Sequence, residues 1–285
     1  RTSRDESGQP AKGAIKCSNG QNAKDERPAA SSTLKRGTSR GNPNTFTLVT
    51  PAVREEARRH FGCDTLDGME LENQPTGQNS CWGSHWEQRI LNNELMSPVG
   101  GSSAVLSRAT LAAFQDMGWY DVNFTVAGEL SWGEKMGCEF VNNKCVDSNT
   151  GVAMGSSAGY FCTDSKQQAC NIDKTSKSVC NAAQYSGNIE PAWFQHFPND
   201  ATKGGALAEL DYCPFFQKYS NQDCLDSKHA PSQQNARGET HGVESRCFDT
   251  TLIQDVYVSS DAMVQTCFKR VCLDSGSVRV FATDA

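Results

Sequence analysis

The hydrophobic and polar positions of the chain first become regular after residue 44. Residues 45–49 alternate polar and apolar side chains and predict a short strand. A helix is predicted to follow over residues 51–61, because apolar side chains recur there at four-residue spacing behind a typical N-terminal signal. The residues that indicate it are an N-cap, an early proline, two acidic residues, the apolar stripe and a closing glycine: Thr50, Pro51, Glu55, Glu56, Val53, Ala57, Phe61 and Gly62.

A second helix is predicted at roughly residues 107–117. Ser107 is its expected cap, Leu111 and Phe114 face inward, and Gly118 ends it. After about residue 125 the pattern changes, because Gly, Ser and Asn turns separate short segments that lack long helical periodicity.

These patterns divide the chain into three parts. Residues 1–44 show no periodicity and are rich in Gly, Ser, Asn and Pro, which predicts a basic, loop-like insertion. Residues 45–125 combine helix and strand, and residues 126–285 are predicted to form a cysteine-rich domain made mainly of strands and loops. The predicted fold class is α+β.

Cysteine is the most informative component of the composition. The chain has thirteen, and none stands in the CxxC pairs that are typical of metal knuckles. The irregular spacings indicate a disulfide framework in a secreted or surface protein, and the odd number leaves at least one cysteine without a partner in the chain. The single sequon, at Asn123, agrees with a secretory route and is a candidate glycosylation site.

Charge and hydropathy exclude several functions. Net charge is −6, but residues 1–41 carry +5 and the remainder −11, so the acidic body argues against nucleic-acid binding. The chain has no apolar run approaching the roughly 18–20 residues that a membrane helix needs. Arg1 is not preceded by a start methionine or signal peptide, and we expect the sequence to be a fragment, with any membrane anchorage outside it.

One block points to metal chemistry. His85 stands in a Gly/Ser turn, and Met96 follows it eleven residues later within Glu94-Leu95-Met96-Ser97-Pro98. This order is similar to the second half of a metzincin site, in which a third zinc-binding histidine precedes a methionine-bearing turn below the metal. Taken alone, the pair is a weak signal that favours an ordinary turn histidine and a core methionine over a metal site.

The short sequence motifs on both sides of His85 strengthen this interpretation. Taken together and in their order along the chain, these motifs closely resemble the leishmanolysin family of surface metalloproteases over about residues 46–275, with a weaker match at Arg4–Pro10. The matching segments are Thr50–Val53, Glu56–Cys63, Gly68–Gln74, His85–Glu87, Asn93–Met96, Phe114–Tyr120, Trp132-Gly133, Gly137-Cys138 and Asp211–Cys213.

The resemblance implies a zinc endopeptidase. His85 would be the third Zn²⁺ ligand and Met96 the Met-turn residue, within residues 45–125 as the C-terminal part of a metzincin catalytic domain. The family's HExxH helix, with two further histidines and the general-base glutamate, is not in the sequence, so we expect it upstream of Arg1 and expect no catalytic residue in this chain. As written, the polypeptide should be inactive.

The resemblance also implies a disulfide pattern. The five implied pairs are Cys63–Cys138, Cys145–Cys213, Cys162–Cys180, Cys170–Cys247 and Cys224–Cys267. Cys272 would then have its partner beyond Ala285, while Cys17 and Cys81 match nothing in the family and are hypothesised to pair with each other.

The other four histidines have no ligand spacing relative to His85. His60 is predicted to be a surface or helix-capping residue, and His196 a packed residue in an aromatic cluster. His229 and His241 lie in polar loops and are predicted to be solvated.

Two functions remain open from the sequence. The first is a zinc-dependent endopeptidase that cleaves extracellular or cell-surface proteins and peptides. The second is a non-catalytic surface or adhesion module that keeps the disulfide scaffold without the metal helix. Both place the protein outside the cell or at its surface, and neither tells us its oligomeric state.

Overall fold

The structure is a computed structural model that describes residues 4–9, 11, 29–74, 84–100, 104–231, 238–251 and 264–281. It confirms a mixture of helices and sheets, as the α+β prediction requires. The helices are α1 (Pro51–Phe61), α2 (Gln88–Leu91), α3 (Arg108–Met117) and α4 (Gly137–Asn142). The strands are β1 (Leu34–Ser39), β2 (Asn42–Leu48), β3 (Met69–Leu71), β4 (Gln168–Cys170), β5 (Ser176–Cys180), β6 (Ala182–Gln184), β7 (Lys203–Gly205), β8 (Phe216–Asp223), β9 (Ser245–Thr250), β10 (Val264–Cys272) and β11 (Val278–Phe281).

The chain forms two compact units. The first contains residues 1–149 and 185–213, and the second contains residues 150–184 and 214–285. This division differs from the boundary expected at residue 125, because α4 and its disulfide hold residues 126–149 in the first unit. The assignment of residues 45–125 to a catalytic domain and of residues 126–285 to a separate cysteine-rich domain stays a prediction.

An antiparallel sheet in the order β1-β2-β3 opens the first unit. The prediction of a loop throughout residues 1–44 is therefore wrong for β1, which pairs with β2 along most of its length. Its side chains are largely exposed, so β1 is a polar edge strand without the apolar alternation that would have revealed it.

Helix α1 has the predicted position, and its apolar stripe is buried. Thr50 occupies the N-cap position, but its side chain makes no capping bond. The carboxylate of Asp116, on α3, accepts hydrogen bonds from the amides of Ala52 (3.2 Å) and Val53 (3.1 Å) instead. The first turn of α1 is thus capped by a tertiary contact rather than by its own sequence. Gly62 ends the helix with φ 67°, as predicted.

Helix α3 also follows the prediction closely. The hydroxyl of Ser107 accepts a hydrogen bond from the Thr110 amide, Leu111 is buried and Gly118 adopts the left-handed conformation. Phe114 is an exception, because it is only half-buried and packs edge-on against the exposed ring of Tyr120 at 5.3 Å.

The consecutive residues Trp132 and Gly133 lie in the core of the first unit. Gly133 has φ 78°, and a Cβ there would lie 2.7 Å from the ring of Phe61 and 2.8 Å from that of Phe140. Only glycine allows the backbone to pass between the two rings. The Trp132 ring packs edge-on against Phe140, and its indole N–H donates to the carbonyl of Arg89.

The structure joins the same five cysteine pairs that the resemblance implies. Cys272 is unpaired and exposed. Cys17 and Cys81 lie outside the described residues, so their hypothesised pairing stays untested.

The second unit uses disulfides as its core. Two antiparallel sheets, in the orders β4-β5-β8 and β9-β10-β11, enclose a buried cluster formed by Cys170–Cys247 and Cys224–Cys267. A smaller cluster combines Cys162–Cys180 with Phe216. Covalent cross-links thus replace much of the large apolar core that short strands and loops fail to supply.

Three of the four histidines other than His85 are more buried than the sequence suggests. His60 is half-buried and its Nε2 contacts the Trp132 carbonyl at 2.8 Å, so it is not a surface residue. His196 is buried, as predicted. His241 is not solvated: backbone bonds from Thr240 to Cys267 and from Gly242 to Cys224 hold its fully covered ring against Glu239. His229, also predicted to be solvated, is half-buried.

No helix among the described residues combines the length and apolarity needed to cross a lipid bilayer.

Buried His196 makes the first unit sensitive to acid. Burial lowers its pKa to about 3, against the opposing hydrogen bond of Nε2 to the Asp211 carbonyl at 2.5 Å. Between about pH 6.5 and 3, the unfolded chain binds a proton at this position that the folded chain excludes, so stability is lost as pH falls. We expect His196→Gln to reduce the loss between pH 7 and 5 by about 2 kcal/mol.

Urea denaturation followed by tryptophan fluorescence measures this loss, because all five tryptophans belong to the first unit. An equal pH dependence in the wild type and His196→Gln would contradict the assignment.

Candidate metal centre

His85 is positioned by a short antiparallel bridge. Leu71, at the end of β3, pairs with Trp86, and the Glu72 amide donates to the His85 carbonyl at 2.9 Å. The Glu87 amide donates to the Glu70 carbonyl at 3.0 Å on the other side of the bridge. These bonds place His85 directly across from Glu72.

The imidazole of His85 contacts a buried carboxylate. Its Nδ1 lies 2.8 Å from Oε2 of Glu72, and the side chains are 39% and 2% exposed respectively. An ionised carboxylate only accepts hydrogen bonds, so this contact favours the tautomer with the proton on Nδ1. The lone pair of a neutral ring then lies on Nε2, the atom that remains available to a metal ion.

Met96 is tied to the same strand. The Trp86 amide donates to the Met96 carbonyl at 3.0 Å, so the methionine turn lies beside the residue that follows His85. The Met96 side chain is 40% exposed. Met96 thus lies in a turn next to His85, and its role as the Met-turn residue stays a prediction.

Glu94 holds the methionine turn from below. Its Oε2 accepts from the Met96 amide at 2.5 Å, and its Oε1 accepts from the amide and hydroxyl of Ser107 and from the hydroxyl of Thr110. The indole N–H of Trp86 donates to the same Thr110 hydroxyl at 2.8 Å. The turn is thus fixed to the start of α3 by one fully used carboxylate.

A cluster of buried charges supports β3 behind this site. Arg40 forms a bidentate pair with Glu70 at 2.8 and 2.9 Å and also binds Asp211 at 3.0 Å. Burial opposes the charge on Arg40, but the two carboxylates outweigh it and raise its pKa. Asp211 additionally accepts a hydrogen bond from Gln74, and the Asn73 amide group donates to Glu70.

Two further buried ionisable groups belong to this cluster. Burial raises the pKa of Glu87 well above its ordinary value, and the carboxylates of Asp211 and Glu70 raise it further. Burial lowers the pKa of Arg89 to about 9, and Arg40 contributes in the same direction. The guanidinium of Arg89 donates to the carbonyls of Phe140 (2.5 Å) and Asn143 (2.7 Å) at the end of α4. This arrangement matches the preference of cations for a helix C-terminus.

Two other groups of potential ligands do not fit a metal ion. Cys145, His196 and Cys213 lie close together, as do Glu239, His241 and Cys267. Their sulfur atoms are already joined in disulfides, which removes the thiolates that a metal would need. Among the described residues, Nε2 of His85, on a ring held by the Glu72 carboxylate, is a donor of the chemical type that binds metal ions.

Comparison with known proteins identifies the family. A model of the leishmanolysin peptidase family matches residues 32–285, the greater part of the chain. The chain belongs to the leishmanolysin family. It is 35% identical over 228 residues to a leishmanolysin-like peptidase of Caenorhabditis elegans, covering 71% of this chain and 34% of that protein.

Other leishmanolysins show the same degree of similarity. The leishmanolysin-like peptidase of Drosophila melanogaster is 33% identical over 225 residues, covering 71% of this chain and 32% of the relative. Leishmanolysin of Leishmania tropica is 31% identical over 209 residues, which cover 71% of this chain and 30% of that protein. The chain thus spans about a third of the length of the curated relatives it matches. The leishmanolysin family is a family of metallopeptidases, which implies a metal cofactor in its members.

The sequence did not assign Glu72 or Glu94 a role, although both lie within the segments that resemble leishmanolysins. Both carboxylates are buried and act on residues that are distant in sequence, so no local pattern indicates them. The available signal was the presence of two acidic residues in Gly68–Gln74 and one in Asn93–Met96, segments otherwise suited to a strand and a turn.

The buried pair of Arg40 with Glu70 and Asp211 should dominate the stability of the first unit. Arg40→Met leaves two buried carboxylates without their cation, and we expect it to lower the free energy of unfolding by about 3–5 kcal/mol. Lys35→Met is the matched control, because the Lys35–Asp67 pair is 54% and 52% exposed and should contribute less than about 1 kcal/mol.

Urea denaturation with tryptophan fluorescence distinguishes the two variants. Equal losses from both would show that the buried cluster does not carry the stability assigned to it.

Proposed function

We propose that the chain is part of a zinc-dependent metalloendopeptidase, with His85 as the third zinc ligand and Met96 as the Met-turn residue. The observation that carries this proposal is the contact between Nδ1 of His85 and the buried Glu72 carboxylate, which leaves Nε2 as the ligand atom. Membership in a metallopeptidase family supplies the chemical context.

The described residues would prepare one side of the metal site. His85 offers Nε2, Glu72 keeps the proton on Nδ1, and Glu94 fixes the turn that carries Met96. A zinc ion bound by three histidines supplies Lewis acidity and a water of lowered pKa for attack on a peptide carbonyl. The printed sequence contains no HExxH motif. The other two histidines and the general-base glutamate therefore belong, in this proposal, to residues upstream of Arg1.

The setting proposed for this activity is the cell surface or the extracellular space. Five disulfides support an oxidising compartment. Asn123 is exposed, and its side-chain oxygen accepts hydrogen bonds from Thr125 at the start of a short helical turn, a surface position that suits N-glycosylation. Proteins and peptides of that environment are the proposed substrates.

Activity of the natural chain that extends upstream of Arg1 tests the function. We expect that chain to bind about one zinc ion and to cleave a quenched fluorescent peptide, with loss of cleavage on chelation and recovery on zinc addition. His85→Ala should lower kcat/KM by more than about 100-fold, since a direct ligand matters more than the outer residues whose loss costs 10–100-fold. His229→Ala, in a loop of the second unit, is the matched control and should retain activity.

The same experiment separates the two functions. A folded upstream-extended chain with no peptidase activity, or with activity that survives His85→Ala, would overturn the proposal. Such a result would favour a binding module on the disulfide scaffold.

A further inference from the structure

The carboxylate of Glu72 is held in place independently of any metal. Its backbone belongs to the bridge between Leu71 and Trp86, and the preceding strand β3 is anchored through Glu70 to Arg40. The carboxylate therefore approaches His85 from the residue that directly follows β3, next to the Leu71–Trp86 bridge. Only the histidine side of the pair faces solvent, because its side chain is 39% exposed and that of Glu72 is 2% exposed.

We propose that Glu72 is a positioning residue that fixes His85 in the Nδ1–H tautomer and directs Nε2 toward the metal. In this role Glu72 touches neither metal nor substrate and acts only through the imidazole. The tautomer part of the proposal concerns the chain alone, whereas the metal part rests on the proposed function.

The buried Oε1 of Glu72, which has no hydrogen-bond partner in the described structure, supports this role. Oε2 binds His85, but Oε1 is buried without a hydrogen-bond partner in the described part of the structure. An unsatisfied buried acceptor costs about 1–3 kcal/mol. Among the described residues, the hydrogen bond that partly satisfies this carboxylate is therefore the one with His85.

The comparison with Glu70, two residues earlier, leads to the same inference. Both carboxylates are buried, but Glu70 is neutralised by the guanidinium of Arg40. Among the described residues, the ion-pair partner of Glu72 is His85 alone. Negative charge beside the ring raises the basicity of a ligating imidazole and favours a cation on its other nitrogen. Glu72 therefore has the charge and location that a metal-binding histidine requires.

¹⁵N NMR of the protein of residues 1–285 tests the tautomer of His85 without any metal. The chain is labelled with ¹⁵N-histidine and measured near pH 8.5, about two units above the ordinary histidine pKa, so that exposed imidazoles are neutral. We expect His85, identified by the signals missing in His85→Ala, to have a protonated Nδ1 and an unprotonated Nε2. Glu72→Ala should shift the ring toward the Nε2–H tautomer that imidazoles favour in water, and Glu72→Gln should retain Nδ1–H through its amide oxygen.

The matched control is Glu139→Gln, an exposed glutamate of α4, which should leave the tautomer unchanged. An Nε2–H tautomer in the wild-type chain would overturn the proposal, as would retention of Nδ1–H in a folded Glu72→Ala variant. If Glu72→Ala does not fold, the tautomers of His85 measured in the wild-type chain and in Glu72→Gln still test the proposal.

A second measurement concerns the metal and uses the upstream-extended chain. Competition with a chromophoric chelator should show zinc affinity lowered about 10–100-fold in Glu72→Ala and by less in Glu72→Gln, which keeps an acceptor for Nδ1–H but loses the negative charge. Equal zinc affinity in all three proteins would overturn the metal part of the proposal. If the extended chain binds no zinc at all, the proposed function fails, while the tautomer measurement still tests the role of Glu72.

Discussion

The pairing of buried Arg40 with Glu70 and Asp211 is the interaction on which the site depends. It joins three segments that are far apart in sequence: the turn between β1 and β2, strand β3, and the 3₁₀ turn that ends before Cys213. Removing these charges from water is costly, and only complete, well-aligned hydrogen bonding offsets that cost. The bidentate contact with Glu70 and the contact with Asp211 therefore select one register of the three segments. Arg40 accepts φ 52° to make them, a further sign that the tertiary arrangement determines the local backbone.

The ion pair of Arg40 also fixes the position of the candidate metal centre, because Glu70 and Glu72 are only two residues apart. Glu70 faces Arg40, and Glu72 lies across the bridge from His85. The same bridge leads through Trp86 to the carbonyl of Met96. Because Glu70 and Glu72 are two residues apart and share one face, a one-residue shift of this segment would turn both away and break both contacts at once. The geometry of the histidine thus derives from an ion pair two residues before Glu72 in the same segment.

The sequence predicts those parts of the fold that local chemistry determines. Helices α1 and α3 carry their own apolar stripes and end at left-handed glycines, so their limits follow from short windows. The capping of α1 by Asp116 and the polar strand β1 depend on distant partners and leave no local pattern. His85 and Met96 were found through ordered motifs, whereas Glu72 and Glu94 were not, because hydropathy assigns carboxylates to the surface and both are buried. The covered ring of His241 was missed for a related reason: its loop is polar in composition but held by backbone bonds to two disulfide-bonded cysteines.

Two carboxylates make this side of the site rigid before any metal binds. Glu94 uses both oxygens on donors from its own chain and thereby fixes the backbone of Met96. Glu72 uses one oxygen on His85 and keeps the other without a partner in the described structure. The difference is physically meaningful, because a fully satisfied carboxylate stabilises the fold, whereas a partly satisfied one retains electrostatic potential that a cation can neutralise. A metal ion bound at Nε2 would therefore meet a preorganised imidazole and would not have to supply the energy of ordering it.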